Sequence, residues 1–246
     1  MSLFRLDGRV AIITGAGGVI GSATARLFAT QGAHLLLTDL NSKKLDALAR
    51  EIGSNAVPWS ADLSQVSNCQ AVVEKVVATF GRLNILVNNA GICPRVPFLK
   101  SSELDWERIV SINQKSMFFC SQAAAPHLAK THGAIISTAS FAGRAGAVSN
   151  ASIYSGTKGA IIALTKAFAR ELAPDVRVNA VAPGAIDTPM VRALPPERLA
   201  SLVETIPLKR LGTPEEVAAA ILFLAADECR YMTGATIDIN GGWMML

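Results

Sequence analysis

Tyr154 and Lys158 stand four residues apart at the head of a long apolar stretch, Gly159 to Leu172, that reads as a helix. Residues at that spacing share one helix face, with Cβ atoms about 5–6 Å apart. A free phenol titrates near pH ~10, and burial raises that further. An ammonium about 4 Å away, at an effective dielectric near 20, attracts the phenolate by roughly 4 kcal/mol. Since a pKa unit is about 1.4 kcal/mol, such a cation brings Tyr154 down by up to ~3 units, within range of general acid–base work near neutral pH. The expectation is a tyrosine whose ionisation the lysine favours. Taken alone, the pair reads equally as a half-buried tyrosine over a surface lysine, so the elements around it matter.

Those elements alternate. Val10-Ala11-Ile12-Ile13 is a short β-branched apolar run, the pattern of a buried parallel strand, and it ends at Thr14-Gly15. Gly15, Gly17, Gly18 and Gly21 follow, and Ser22 to Gln31 reads as helix. Strand, glycine turn and helix together present free backbone N–H groups to a phosphate; a plain flexible connector is the competing reading. His34 to Thr38 is the next strand, ending on Asp39, 24 residues after Gly15. A carboxylate near that offset accepts hydrogen bonds from ribose hydroxyls and repels a 2′-phosphate, which favours NAD over NADP. Asp39 capping the helix Ser42 to Ile52 is the other reading, and Lys43 and Lys44 stand close enough to soften the repulsion. Ala56 to Trp59 is a third strand, followed by Ala61-Asp62-Leu63-Ser64 and a helix to Phe80. Asp62 reads either as an adenine contact or as that helix's cap. Leu83 to Val87 is a fourth strand, ending in Asn88-Asn89-Ala90-Gly91, small residues that let the backbone pass close to a ligand. This rhythm predicts a doubly wound parallel α/β sheet flanked by helices, Rossmann-like, in a single domain over 1–246.

The chain has 246 residues, half of them hydrophobic, enough for one sizeable core. Charged residues make up 17 % with a net charge of +4 and no basic run interleaved with aromatics, which argues against nucleic acid. Cys69, Cys93, Cys120 and Cys229 show no metal-ligand spacing, and the only histidines are His34, His127 and His132. We expect no metal, and reduced thiols in a reducing compartment. Met1 to Val10 lacks an apolar signal region, and the longest apolar run, Val217 to Ala226, is too short to cross a bilayer. The expectation is a soluble, cytoplasmic protein with no membrane partner.

From end to end the chain resembles the short-chain dehydrogenase/reductase family, in its single-domain branch. Thr14-Gly15 to Gly21 is similar to the family's cofactor glycine motif, and Asn88-Asn89-Ala90-Gly91 to its Asn-Asn-Ala-Gly block. Asn113, in Ser111-Ile112-Asn113-Gln114-Lys115, resembles the active-site Asn. Ile135 to Ser140 resembles the strand that ends on the catalytic Ser, and Tyr154 with Lys158 the Tyr-x-x-x-Lys pair. Asn179 to Thr188 resembles the Pro-Gly block at the nicotinamide; Gly212 to Val217 and Asp238 to Gly242 resemble the C-terminal signatures. The chain departs from the pattern at Val19, where the family has a glycine, and at Ser116, where glycine is common. The step from Ser140 to Tyr154 is one residue longer than usual, which leaves mid-strand Ser137 as the alternative serine.

The resemblance implies a nicotinamide-dependent oxidoreductase acting on a secondary alcohol or ketone. In it Tyr154 exchanges a proton with the substrate oxygen, Lys158 lowers the tyrosine's pKa and bonds the ribose, and Ser140 donates to the substrate oxygen. Asn113 distorts its helix and holds a water beside Lys158. It implies cofactor contacts at Gly15, Gly17, Gly18, Val19, Ile20, Asp39, Asp62, Leu63, Asn89, Ala90, Gly91, Tyr154, Lys158, Pro183, Gly184, Ile186 and Thr188, the last read alternatively as a plain loop residue. It also implies a homotetramer, with the small residues of helix 154–172 at an interface and the apolar tail Trp243 to Leu246 buried there. An apolar substrate pocket is expected from Ile92, Phe141, Val148, Ile153, Met190, Val191 and Leu194, with Arg95, Arg144 and Arg192 as solvated loop charges or carboxylate ligands. Two other functions stay open: an NADPH-dependent 3-oxoacyl-(acyl-carrier-protein) reductase, with Lys130 and Arg170 as a docking patch, and a catalytically silent NAD-binding scaffold.

Overall fold

The computed structural model describes residues 3–147 and 150–245, with Met190 in its main chain only. The apolar runs form the strands β1 (Val10–Thr14), β2 (His34–Asp39), β3 (Ala56–Ser60), β4 (Ile85–Asn88), β5 (Ala134–Thr138), β6 (Arg177–Pro183) and β7 (Thr236–Ile239). Among the described residues they make one parallel sheet in the order β3-β2-β1-β4-β5-β6-β7. The chain builds outward from β1 to β3, then restarts at β4 on β1's other side. That reversal opens a crevice beyond the carboxyl ends of β1 and β4.

Continuous apolar strands are needed because both faces are covered. Successive side chains point to opposite faces, so Ile13, Leu35, Leu37, Val87 and Ile136 meet one helical layer, where Phe28, Leu45, Val217 and Ile221 pack. Ile12, Leu36, Leu86, Ile135 and Val178 meet the other, with Val72, Val76, Cys120 and Leu128. The first layer is α1 (Val19–Thr30), α2 (Ser42–Ile52) and, later in the chain, Pro214–Ala225. The second is α3 (Val66–Phe80), the pair α4 (Glu103–Val110) and α5 (Ser116–Ala129), and, after the four-residue α6 (Ala142–Ala145), the long α7 (Ser152–Leu172). Short helices α8 (Pro189–Arg192) and α9 (Pro196–Thr205) then lead to α10 (Pro214–Ala225).

The expected strands and helices are present, with shifts of a few residues. α1 begins at Val19, three residues before the expected Ser22, so the glycine turn runs directly into it with Gly18 as N-cap. β5 stops at Thr138, so Ser140 lies two residues beyond the strand and not at its end. Asp39 does not cap α2: Asn41 does, its side chain accepting the Lys44 N–H at 3.1 Å. Asp62 does not cap α3, whose N-cap position is Gln65; its carboxylate accepts the Ser64 N–H at 3.0 Å in a local turn. Among the described residues no helix is long and apolar enough to cross a membrane.

Candidate active site

A cavity of about 580 Å³ lies in the crevice. Its wall holds Gly15, Gly17, Gly18, Val19 and Ile20 from the first turn, Asp39 from β2, and Asp62 and Leu63 after β3. Asn89, Ala90 and Gly91 follow β4, Ser140 follows β5, Tyr154 and Lys158 come from α7, and Pro183, Gly184, Ile186 and Thr188 follow β6. Of the candidate catalytic and cofactor residues Asn113 alone is off the wall; it is buried behind it, 1 % exposed.

Thr14 joins the first turn to the β4 turn. Its hydroxyl accepts the N–H groups of Asn89 and Ala90 at 2.9 and 3.0 Å, and the Asn89 amide donates back to the carbonyls of Thr14 and Gly15 at 3.2 Å each. Gly15 has φ +64°, and a Cβ there would lie 2.8 Å from the Ala90 Cα, so the position requires glycine on both counts. Asp39 is held from two sides: the N–H of Gly17 donates to one carboxylate oxygen at 3.1 Å and that of Asn41 to the other at 3.0 Å. A Cβ on Gly17 would sit 3.0 Å from the carboxylate carbon. Of the two lysines expected near Asp39, Lys44 is on the cavity wall and Lys43 is not. A backbone cradle with a fixed carboxylate beside it fits a dinucleotide. Val19 forms part of that wall as the first residue of α1, where its N–H is available to an anion.

Ser140, Tyr154 and Lys158 meet at the other end. The residues after Ser140 pack against the α7 backbone so closely that a Cβ on Gly143 would lie 2.5 Å from the Lys158 carbonyl carbon. Ser137, the alternative serine, is fully buried in β5 beneath Asn88, whose amide reaches it at 3.5 Å and Ser121 at 3.0 Å. Asn113 lies in a π-turn, Ser111–Lys115, between α4 and α5, the local distortion expected of it.

The expected depression of the Tyr154 pKa is corrected by the structure. Burial pushes the phenol up to about 12, against an opposing pull from the facing Ser140 hydroxyl, and the Cys93 sulfur adds to the rise. Burial also pulls Lys158 down to about 8. The ammonium is 5.7 Å from the Tyr154 ring centroid and donates instead to the Thr138 carbonyl at 2.6 Å. Burial thus moves the two groups in opposite directions, and the amine gives up its charge before the phenol ionises. The helix spacing sets the two side chains on one face; it does not report how deeply α7 is buried.

Two of the three arginines are neither free loop charges nor poised ligands, because each is already paired. Arg144 pairs with Asp238 at 2.8 Å and donates to the Thr236 carbonyl at 3.1 Å, while Arg192 binds both carboxylate oxygens of Asp187. Arg95 is exposed. Phe141 and Trp243 stack on each other, 4.3 Å between centroids, so part of the apolar tail packs within the chain, while Met245 is 79 % exposed. Thr188 lines the cavity and also caps α8 through the Val191 N–H at 3.3 Å. Of the expected substrate-pocket residues Ile92 and Val191 are on the wall and Phe141, Ile153 and Leu194 are not; Val148 and the Met190 side chain lie outside the described residues. Sequence reasoning did not single out Cys93, Ile112 or Leu40, which also line the cavity. Each is a sequence neighbour of a candidate residue, the one signal that points to them. Among the described residues no three His, Cys, Asp or Glu side chains gather as a metal site.

Comparison with known proteins places the chain among dehydrogenases and reductases. The family described as enoyl-(acyl carrier protein) reductase matches residues 15–244. The chain is 41 % identical over 243 residues to a 3-oxoacyl-(acyl-carrier-protein) reductase of Thermotoga maritima, covering 97 % of this chain and 98 % of that one. It is 38 % identical over 240 residues to a meso-2,3-butanediol dehydrogenase of Serratia marcescens, covering 97 % and 95 %. The crystal structure of a short-chain dehydrogenase/reductase of Brucella melitensis, described as a glucose/ribitol dehydrogenase, superposes with a TM-score of 0.95 at 41 % identity over the whole of both chains.

Proposed function

We infer the function from one premise: the chain belongs to the short-chain dehydrogenase/reductase family. It is an oxidoreductase that uses a nicotinamide cofactor and acts on CH–OH or keto groups. Within that class we assign it as an NAD-dependent dehydrogenase or reductase of a secondary alcohol or ketone. The observation that carries the choice of NAD is Asp39, a carboxylate on the cavity wall fixed by two backbone N–H groups. Lys44 on the same wall weakens the repulsion of a 2′-phosphate but does not replace the carboxylate.

The N–H groups at the head of α1 would hold the pyrophosphate, and Asp39 the adenosine ribose, with Asp62 and Leu63 beside the adenine. Asn89 to Gly91 and Pro183 to Thr188 would flank the nicotinamide half. When bound, the nicotinamide supplies the two-electron exchange with the substrate carbon. The protein's own part is the proton. With Tyr154 raised to about 12 and Lys158 lowered to about 8, the free enzyme near neutrality carries a neutral phenol beside an ammonium. A neutral phenol is the acid that carbonyl reduction needs; oxidation of an alcohol needs the proton removed first. Ser140, opposite the phenol, donates to the substrate oxygen and steadies its developing charge. Ile92, Cys93, Ile112 and Val191 make the neighbouring wall mostly apolar, which suits a carbon skeleton with few charges.

A second reading, an NADPH-dependent 3-oxoacyl-(acyl-carrier-protein) reductase, is favoured by the 41 % identity to a relative of that name. A silent scaffold would have no use for Ser140, Tyr154 and Lys158 on one wall. The cytoplasm suits four free cysteines. A homotetramer suits the exposed Phe98, Leu99, Leu104 and Trp106, all within nine residues of the chain.

The deciding experiment is a paired fluorescence titration with NADH and NADPH. Tighter NADH binding is the expected result. Tighter NADPH binding overturns the Asp39 argument and puts 3-oxoacyl thioesters first among substrates.

A further inference from the structure

We propose that Thr157 is a positioning residue that ties the Asn113 turn to the helix carrying Tyr154 and Lys158. The proposal rests on the reading of Tyr154 as the acid–base group.

Thr157 is off the cavity wall and 2 % exposed. Its hydroxyl donates to the Tyr154 carbonyl at 2.7 Å. A bond from a threonine to a carbonyl one turn back is common in helices and by itself says nothing. The second bond is the informative one. The same oxygen accepts an N–H of the Asn113 side chain at 3.2 Å, across from a different helix. Asn113's other N–H donates to the Ile92 carbonyl at 2.9 Å, and its oxygen accepts the Ile92 N–H at 2.8 Å. Both amide protons and the amide oxygen are thereby engaged, which fixes the side chain in one orientation.

Three pieces of the site meet through this chain of bonds. Ile92 belongs to the loop after β4, Asn113 to the π-turn, and Thr157 to the turn of α7 between Tyr154 and Lys158. The junction is tight. A Cβ on Gly91 would lie 3.3 Å from the Asn113 amide oxygen and 3.5 Å from the Lys158 ammonium, so amide and ammonium share one face of that loop. A π-turn interrupts the regular helical hydrogen bonding between α4 and α5, and such interruptions are frequent at functional sites. Among the hydrogen bonds of the Asn113 side chain, the one to Thr157 is the bond that reaches α7. Threonine is otherwise a poor choice inside a helix, because its β-branch restricts the rotamer. Valine at this position would leave a buried amide N–H unpartnered and free the turn to drift from Tyr154.

The test compares Thr157→Val, which keeps the shape, with Thr157→Ser, which keeps the hydroxyl; Thr157→Ala replaces the valine variant if circular dichroism shows that it misfolds. Turnover is measured with meso-2,3-butanediol and NAD, and with acetoacetyl-coenzyme A and NADPH. For the probe turned over, valine lowers kcat at least about tenfold with KM and cofactor affinity within about threefold, and serine restores kcat to within about threefold. The loss disappears in an Asn113→Ala background, as coupling through one bond requires. A substrate-free readout runs beside it. Tyr154 and Tyr231 are the only tyrosines, so in a Tyr231→Phe background the absorbance at about 295 nm reports Tyr154 alone; valine lowers its midpoint by at least about half a unit as the site loosens to water, and serine does not.

The proposal is overturned if valine leaves both readouts at the parent value, if serine is as impaired as valine, or if the valine effect persists undiminished without Asn113. Tyr154→Phe in the same assay separates the two levels. Turnover surviving that change removes the acid–base reading and Thr157's role with it. Turnover lost there but intact in Thr157→Val removes only the latter.

Discussion

Replacing Lys158 with methionine separates two accounts of how Tyr154 ionises. If the ammonium were charged when the phenol lost its proton, 5.7 Å from the ring centroid, it would attract the phenolate by about 3 kcal/mol at an effective dielectric near 20, or roughly 2 pKa units. Methionine would then raise the Tyr154 midpoint by that amount. The structure orders the events differently. Burial pulls Lys158 down to about 8 and pushes Tyr154 up to about 12, which makes the lysine neutral first. The expected result is a Tyr154 midpoint near 12 in the cofactor-free protein, unchanged within about half a unit by Lys158→Met. The assay is phenolate absorbance after rapid pH jumps in the Tyr231→Phe background. Tryptophan fluorescence recorded in the same shots shows that the chain is still folded when the reading is taken. A parent midpoint at or below about 10, rising by about 2 units in the methionine variant, would refute the reasoning.

The same substitution should change stability. Lowering Lys158 from 10.5 to about 8 represents roughly 3 kcal/mol of burial cost, offset by about 1 kcal/mol for the bond to Thr138. A group with a depressed folded pKa costs nothing above its unfolded value and its full amount below its folded one. Lys158→Met therefore stabilises by about 2 kcal/mol at pH 7, and the gain fades between about pH 8 and 10.5; denaturant midpoints at pH 7 and 10.5 check it, and destabilisation at pH 7 would contradict it. Gly17→Ala places a Cβ 3.0 Å from the Asp39 carboxylate carbon and should weaken NADH binding about ten- to a hundredfold while the fold survives, the range set by one charge-assisted hydrogen bond. Gly21→Ala is harsher, since its Cβ would meet the Gly15 carbonyl oxygen at 2.2 Å and neither backbone can yield; it should melt well below Gly17→Ala in a thermal scan. Equal melting temperatures for the two would count against this account of the turn.

Much of the fold was legible because the physics is local. An apolar β-branched run such as Val10 to Ile13 has to be buried on both faces, and a run ending in Thr-Gly before a helical stretch has few other places to go. The same holds for His34–Asp39 and for Ser42–Ile52, whose ends are marked by the polar and glycine residues that flank them. Site residues at strand ends were legible for the same reason: parallel strands bring their carboxyl ends to one edge, so Gly15, Asp39 and Asn89 must be neighbours once the sheet is granted. What escaped was whatever depends on depth or on distant partners. Asp39 offered two readings until Asn41 was seen to cap α2. Arg144 and Arg192 looked like loop charges because Asp238 and Asp187 could not be placed beside them. Trp243 is more than 100 residues from the Phe141 it stacks on.

The sequence by itself determined the alternation of elements, the edge on which the chemistry gathers, and the pairing of a phenol with an amine on one helix face. Those follow from periodicity and spacing. Only the tertiary structure decided the electrostatics of that pair, because burial, the facing Ser140 and the Thr138 carbonyl come from packing and from β5, which the spacing on α7 does not contain. A pKa depends on the dielectric and the partners around a group, and these are set by segments far away in the chain.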